Sequence, residues 1–407
     1  MKKVLTILLA LAMVFSMSGV VSAEETPVTY QVGESYTADL PVSGVTLVST
    51  DDGYASALAN TVGVRNAQIA ENKVLSIRVN SGNDFNVVAT SGNTVSKVQY
   101  KAGVLGASGD YSDISNGTEV LRIGIGDEYT TSMKFYTTVE WTKKAKISKE
   151  HSDTLTFTYE FIGEDTSIVN NEELLVSSLT SGKDVIITDD IEMESATTAP
   201  YGNKYAVKQD GGVIDGNGNE LHMECYGDDY GIMTSGGTIK NLVIQEGCRA
   251  VMIMYPTEDV ILDNVNIGGD GVLYPINTGE AGSAGVNLIV INSVIAGWTS
   301  YSNIESASFT NVEFKQGTYY NGIYGRVLKP YVNTALTECS FIEHMNLDLS
   351  SLASGHKVTI KDCTVNGQAV TLDVFTVPEN DDDYDADLFT VDLPSWASSV
   401  SDCIVIE

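Results

Sequence analysis

The stretch GTIKNLVI, Gly237 to Ile244, carries a six-residue frame: apolar, any, Asn, apolar, any, apolar, with Ile239, Leu242 and Ile244 as its apolar members. The frame recurs at Leu262–Ile267, Val290–Ile295, Phe309–Phe314, Leu336–Phe341 and Ile360–Val365. Counted from Leu242, its fourth positions advance by 23, 28, 19, 27 and 24 residues. Leu221 precedes Leu242 by 21, and Ile191 in TDDIEM and Cys403 in SDCIVI fit as outer members. A repeat of this length marks a solenoid, and a period of two inside the frame marks strand. Together they predict a coil of short strands, each pairing in parallel with its equivalent one coil on. First, fourth and sixth positions should point inward. The third position, Asn or an acid, should sit at a bend, because Asn tolerates left-handed backbone. The glycines of IDGNGN, Ile214 to Asn219, permit similar bends. A second short strand is expected at YGIM (Tyr230), AVMIMY (Ala250), GVLY (Gly271) and NGIY (Asn321).

These segments carry a resemblance. GGVIDGNGNEL (Gly211–Leu221), GTIKNLVI and KVTIKDCTV (Lys357–Val365) resemble right-handed parallel β-helices of the pectate-lyase-like class. The stretch from Ser167 to Met193 resembles the N-terminal cap of that class. The resemblance implies a β-helix over 164–407, with a capping helix near 170–180 that buries Leu174, Leu175 and Leu179 over the open first coil. It says little about activity, since this fold hosts lyases, hydrolases, adhesins and inert stalks.

Residues 24–163 read differently. VLSIRV (Val74), FNVVA (Phe85), VLRIGI (Val120), TTVEW (Thr137) and DTLTFTYEF (Asp153) are strand-like, some of them separated by turns such as NSGND. In the last, Leu155, Phe157, Tyr159 and Phe161 share one face, which predicts an all-β, Ig-like sandwich. HSDTLTFTYEF and YTADLPVSGVTL are similar to strands of small sandwich modules on Gram-positive surface proteins. Ahead of this module, residues 1–23 have the charged start, apolar run and small-residue end of a secretory signal peptide. The expected mature protein is therefore exported, to the medium or to the surface of a Gram-positive bacterium, and does not span the membrane.

The chain has 23 basic and 54 acidic residues, net −31, with −6 over 24–162 and −27 over 163–407. Such a surface repels nucleic acid, anionic lipid and polyuronates. Five cysteines at irregular spacing, with no CxxC, read as buried side chains rather than a disulfide framework or zinc site.

Two kinds of chemistry remain. An enzyme of the pectate-lyase-like class would need paired acids, or calcium held by acids beside a basic residue. Asp228, Asp229, Arg249 and Arg326 are the catalytic candidates, and Asp259, Asp263 and Asp270 the calcium ligands if they converge. The acidic stretch ENDDDYDAD, Glu379 to Asp387, lacks the Gly and distal Glu of an EF-hand loop and reads as solvated. Aromatic residues offer the alternative. Tyr255-Pro256 and Tyr274-Pro275 read as equivalent places in successive coils, followed by Trp298, Tyr301, Tyr319, Tyr320 and Tyr324. Outward rings repeated along a rod would stack on sugars. The expectation is a surface or adhesion protein that binds a glycan or protein partner without a required cofactor. A lyase or hydrolase and a plain spacer are the alternatives.

Overall fold

The computed structural model describes residues 34–407 except 40–46, 50–53, 57–59, 107–108, 126–128, 195–196, 199–203, 224–228, 246–248, 269–273, 316–325, 343–345 and 379–388. The signal-peptide segment and the acidic stretch therefore lie outside the described residues.

The chain is predominantly β. From Ser167 onward it visits three sheets in rotation, and their strands pair almost wholly in parallel. The first sheet has ten strands, from Ser167–Val169 to Ile404–Ile406. The second has nine and begins at Ile191–Met193; the third has ten and contains Lys204–Gln209, Tyr230–Thr234, Arg249–Ile253 and Tyr274–Thr278. This arrangement is consistent with a parallel β-helix.

Each frame turns out to be two strands and the corner between them. Gly237–Lys240 lies in the first sheet, Val243–Gln245 in the second, and Asn241-Leu242 makes the bend. The third-position residues Asn241, Asn264, Asn292, Asn311, Glu338 and Asp362 all have φ between 50° and 54°. That left-handed conformation is costly for most side chains and mild for Asn. The amides also stack: Asn264 Nδ2 donates to Asn241 Oδ1 at 2.8 Å, and Asn311 Nδ2 to Asn292 Oδ1 at 2.9 Å. The opening GGVIDGNGN bends likewise, with Gly211 at φ 87°, Asn217 at 52° and Gly218 at 85°.

First, fourth and sixth positions are buried in every frame, and their apolar members form one continuous core. Phe314 and Phe341 stack within it at 4.9 Å and 8°. Buried polar groups at the fourth position are satisfied locally. Ser293 Oγ donates to Ile291 O at 2.6 Å, and the Cys339 thiol donates to Phe309 O at 3.4 Å. Cys339, Cys363 and Cys403 are free, buried thiols. Expectations of register fail at both ends: Leu221 pairs with Ile244 and Ile191 with Leu221, which sets both at the sixth position rather than the fourth. Cys403 precedes a first-sheet strand in which Ile404 pairs with Val358, so it is not a corner residue. Of GVLY only Tyr274 is described, and it opens the third-sheet strand Tyr274–Thr278; NGIY lies outside the described residues.

A helix, Glu172–Thr180, follows the first strand and is N-capped by Asn171, whose Oδ1 accepts from Leu174 N at 3.0 Å. Leu175 and Leu179 enter the coil's core, but Leu174 is 44 % exposed. Spacing explains the correction: positions 175 and 179 share one helix face and 174 turns away from it.

Residues before Ser167 form antiparallel sheets with their own core, including Val62, Leu75, Ile77, Val79, Met133 and Phe135. Leu155, Phe157, Tyr159 and Phe161 pack on it from one face of Leu155–Gly163. A small apolar joint of Val74, Ile162, Ile168 and Ile186 links this core to the coil. The Arg122 guanidinium donates to Glu164 O at 3.2 Å and Thr166 O at 2.6 Å across the connection.

Candidate functional site

The third sheet differs from the others in what it carries outside. Its strands align Tyr205 with Tyr230, Tyr230 with Arg249, and Arg249 with Tyr274. The Arg249 guanidinium lies 6.0 Å from the Tyr230 ring centre and 5.3 Å from that of Tyr274. Next along the rod, the Tyr274 and Trp298 rings are 5.3 Å apart. Lys329 Nζ then stands 5.6 Å from the Trp298 ring and 2.8 Å from Asp348 Oδ2. Tyr205, Tyr230, Arg249 and Tyr274 thus share one height, whereas Trp298 precedes its strand and Lys329 stands in the row of Ser300 and Asn277; the side chains nevertheless come close enough for ring stacking and cation–π attraction. Tyr230 is buried in this row, whereas Arg249, Tyr274 and Trp298 are half-buried.

Beside the row lies a patch of Met233, Met252 and Met254, grouped with Tyr205 and Tyr230 apart from the main core. Glycine makes room for it: a Cβ on Gly279 would stand 2.1 Å from Met254 Sδ. At the sheet's edge a cleft of about 320 Å³ is lined by Lys208, Asp210, Met233, Ser235, Met254, Tyr255 and Thr257. Asp210 pairs with Lys208 and accepts from Ser235 Oγ at 3.1 Å. Tyr255 is 41 % exposed and has φ 50°. A bulky residue in left-handed backbone before a proline is a strained arrangement of the sort that collects at binding sites. Gly282 fixes the corner behind it, since a Cβ there would stand 1.9 Å from Pro256 O.

The sequence-predicted residues divide accordingly. Tyr274, Trp298 and Arg249 come together, although Arg249 was expected with the acids. Tyr255 lies in the cleft, beyond the C-terminal end of its strand, whereas Tyr274 begins its own. The two Tyr-Pro pairs are therefore not equivalent. Tyr301 is wholly buried, 5.7 Å from the Phe309 ring with its hydroxyl 3.0 Å from Thr334 Oγ1, and offers no surface to a ligand. Burial pushes its phenol well above the usual range. The reason is register: Thr299–Tyr301 leaves Tyr301 on the inward side of the strand.

The described candidate acids each accept from a backbone or side-chain donor. Asp229 accepts from Lys204 N at 2.9 Å, Asp259 from Asn287 N at 2.8 Å, and Asp263 from Asn292 Nδ2 at 3.1 Å. Asp259 precedes its first-sheet strand and Asp263 ends it. Each carboxylate ties one coil to a neighbour. Among the described residues no three His, Cys, Asp or Glu side chains are grouped as metal ligands. Asp228, Asp270, Tyr319, Tyr320 and Tyr324 lie outside the described residues. Arg326 begins the strand Arg326–Pro330, and its side chain lies outside the description. His222 meets Glu220 at 3.0 Å on the second sheet. Lys329 and the three methionines were missed. Aligning the third strands on Tyr230, rather than on the Tyr-Pro pairs, is the signal that finds them.

No protein-family model matches the chain, and no curated protein sequence does. A partial likeness exists to a chain of a solved chaperone–tip adhesin complex of CFA/I fimbriae biogenesis, 14 % identical with a TM-score of 0.22. It covers 31 % of this chain and 40 % of that one, and at that score it carries no argument. Among the described residues, no helix is long and apolar enough to cross a membrane.

Proposed function

We propose that this is an exported surface protein in which a β-sandwich module precedes a right-handed, pectate-lyase-like β-helix closed at its start by Glu172–Thr180, and that the third sheet binds a neutral glycan along the rod. The observation that carries this reading is the in-register row Tyr205, Tyr230, Arg249 and Tyr274, extended by ring contacts to Trp298 and from it to Lys329. Sugar rings present apolar faces that stack on such groups. The adjoining cleft supplies what a bound sugar also needs: an apolar floor from Met233 and Met254, an exposed ring in Tyr255, and hydrogen-bonding groups in Ser235, Thr257 and Asp210. Charge favours a neutral ligand, because a domain at −27 repels polyanions.

The test is a glycan array on the mature protein, followed by calorimetry on the strongest ligand. Tyr255→Ala and Tyr274→Ala are each expected to weaken binding about tenfold, the loss of roughly one stacked ring. Unsaturated product from polygalacturonate and calcium, lost on chelation and in Arg249→Ala, would replace this reading with a lyase. No binding and no product would leave a spacer.

A further inference from the structure

The outward face of the first sheet differs from the third in having no aromatic side chain. Number the coils by their first-sheet strands, from Val213–Asp215 as one to Ile404–Ile406 as eight. Coils four to six are Asn287–Ile291, Ser306–Thr310 and Asn333–Thr337; their inward residues alternate with outward ones. None of the outward residues in these three strands is charged. In a chain with 19 % charged residues, an uncharged area of this size on the outside is a deliberate-looking gap.

Charge returns on both sides of the gap, in a particular order. The row that ends each strand reads Asp215, Lys240, Asp263, Ile291, Thr310, Thr337 and Lys361 over coils one to seven. In coil eight Ile406 pairs with Ile360, so Glu407 follows beside Lys361. Asp215 in coil one already holds Lys240 Nζ at 3.0 Å; from coil two onward the signs are plus, minus, three neutral positions, plus, minus. Read backward, that order is its own complement.

We infer that this face pairs with the same face of a second copy, rods antiparallel, about a two-fold axis along the strand Ser306–Thr310. Such an axis reverses the coil order and preserves position along the strand. Asp263 then opposes Lys361 of the second copy, and Lys240 opposes Glu407, each twice by symmetry. Thr310 meets Thr310 at the centre. In the neighbouring row Ile289 meets Ala335, large against small. Lys361 is exposed and has no acidic partner within ion-pair distance among the described residues. Six coil steps of ~4.8 Å by three outward positions give a face of roughly 400–500 Å² per copy, at the small end of specific interfaces. The pairing is therefore weak and reversible, and its specificity comes from charge.

Sedimentation velocity on the mature chain over a wide concentration range tests this. A concentration-dependent dimer is expected. Asp263→Lys and Lys361→Asp should each weaken it at least about tenfold, while the double swap, which restores opposite signs, should return it to within about threefold. Thr310→Lys, which sets like charges on the axis, should abolish it without changing the circular-dichroism spectrum. A chain that stays monomeric at every concentration overturns the inference, as does a double swap no better than the singles. Monomer combined with loss of glycan binding in Thr310→Lys would assign the face to the glycan instead.

Discussion

Two corners of the coil obey different rules. Between the first and second sheets, six successive corners are two residues long and open on a residue with φ near 50°. Between the second and third sheets the described strands stand unequally far apart in sequence, Ala296 to Thr299 in one coil and Lys315 to Arg326 in the next. A constant corner lets every coil superimpose on the last, so apolar residues and Asn amides stack. A corner free to vary in length carries no such constraint, and the sheet it feeds bears the aromatic and cationic row. Regularity belongs to the scaffold and irregularity to the face proposed to bind.

The sharpest way to break that contrast is to charge the scaffold. Ile244→Asp or Ile267→Asp places an unpaired carboxylate at a fully buried position and should cost more than ~4 kcal/mol, unfolding the coil in a thermal melt. A soluble, cooperative variant would mean the inward register is wrong. Next comes the joint between the regions. A fragment ending at Gly163 should fold, because its core is its own, yet melt lower than the same sheets within the whole chain, since Val74 and Ile162 lose Ile168 and Ile186. A disordered circular-dichroism spectrum would contradict it. The constant corner should show a smaller effect. Asn292→Ala strains left-handed backbone and removes bonds to Asp263 and Asn311, for about 2 kcal/mol by chemical denaturation. Smallest is a pH effect. Backbone and side-chain hydrogen bonds from Ser398 and Ser399 hold the Asp402 carboxyl down at about 2. A lowered pKa stabilises above the ordinary carboxylate range and is lost as pH falls toward 2. Amide protection at Ser398 and Ser399, relative to the intrinsic exchange rate at each pH, should therefore fall in acid before that of the rest of the coil; unchanged protection would count against the cap.

Legibility in the sequence follows the same division. The frame fixes inward residues through a hydrophobic period that cannot slip without burying charge, so Ile239, Phe314 and Phe341 are readable from spacing. Asn at the bend is readable because few residues accept that φ. The third sheet was read poorly because its strands follow connections of unequal length. A shared dipeptide matches Tyr274 to Tyr255, whereas register sets it against Arg249. Nothing in the sequence marks Tyr301 as inward, because no alternation within a three-residue strand distinguishes its faces. Asp259 and Asp263 are hard to read for a physical reason: carboxylates that accept from a neighbouring coil look, in sequence, like candidate metal ligands.

The most direct measurement pairs one residue from each kind of corner. Thermal stability and affinity for the array-selected glycan should be determined for Asn292→Ala and Tyr274→Ala side by side. The account predicts that Asn292→Ala lowers the melting temperature and keeps the affinity within about twofold, while Tyr274→Ala loses about tenfold in affinity and melts within a few degrees of the parent. Affinity lost in Asn292→Ala and kept in Tyr274→Ala would contradict the assignment of scaffold to the constant corner and binding to the third sheet.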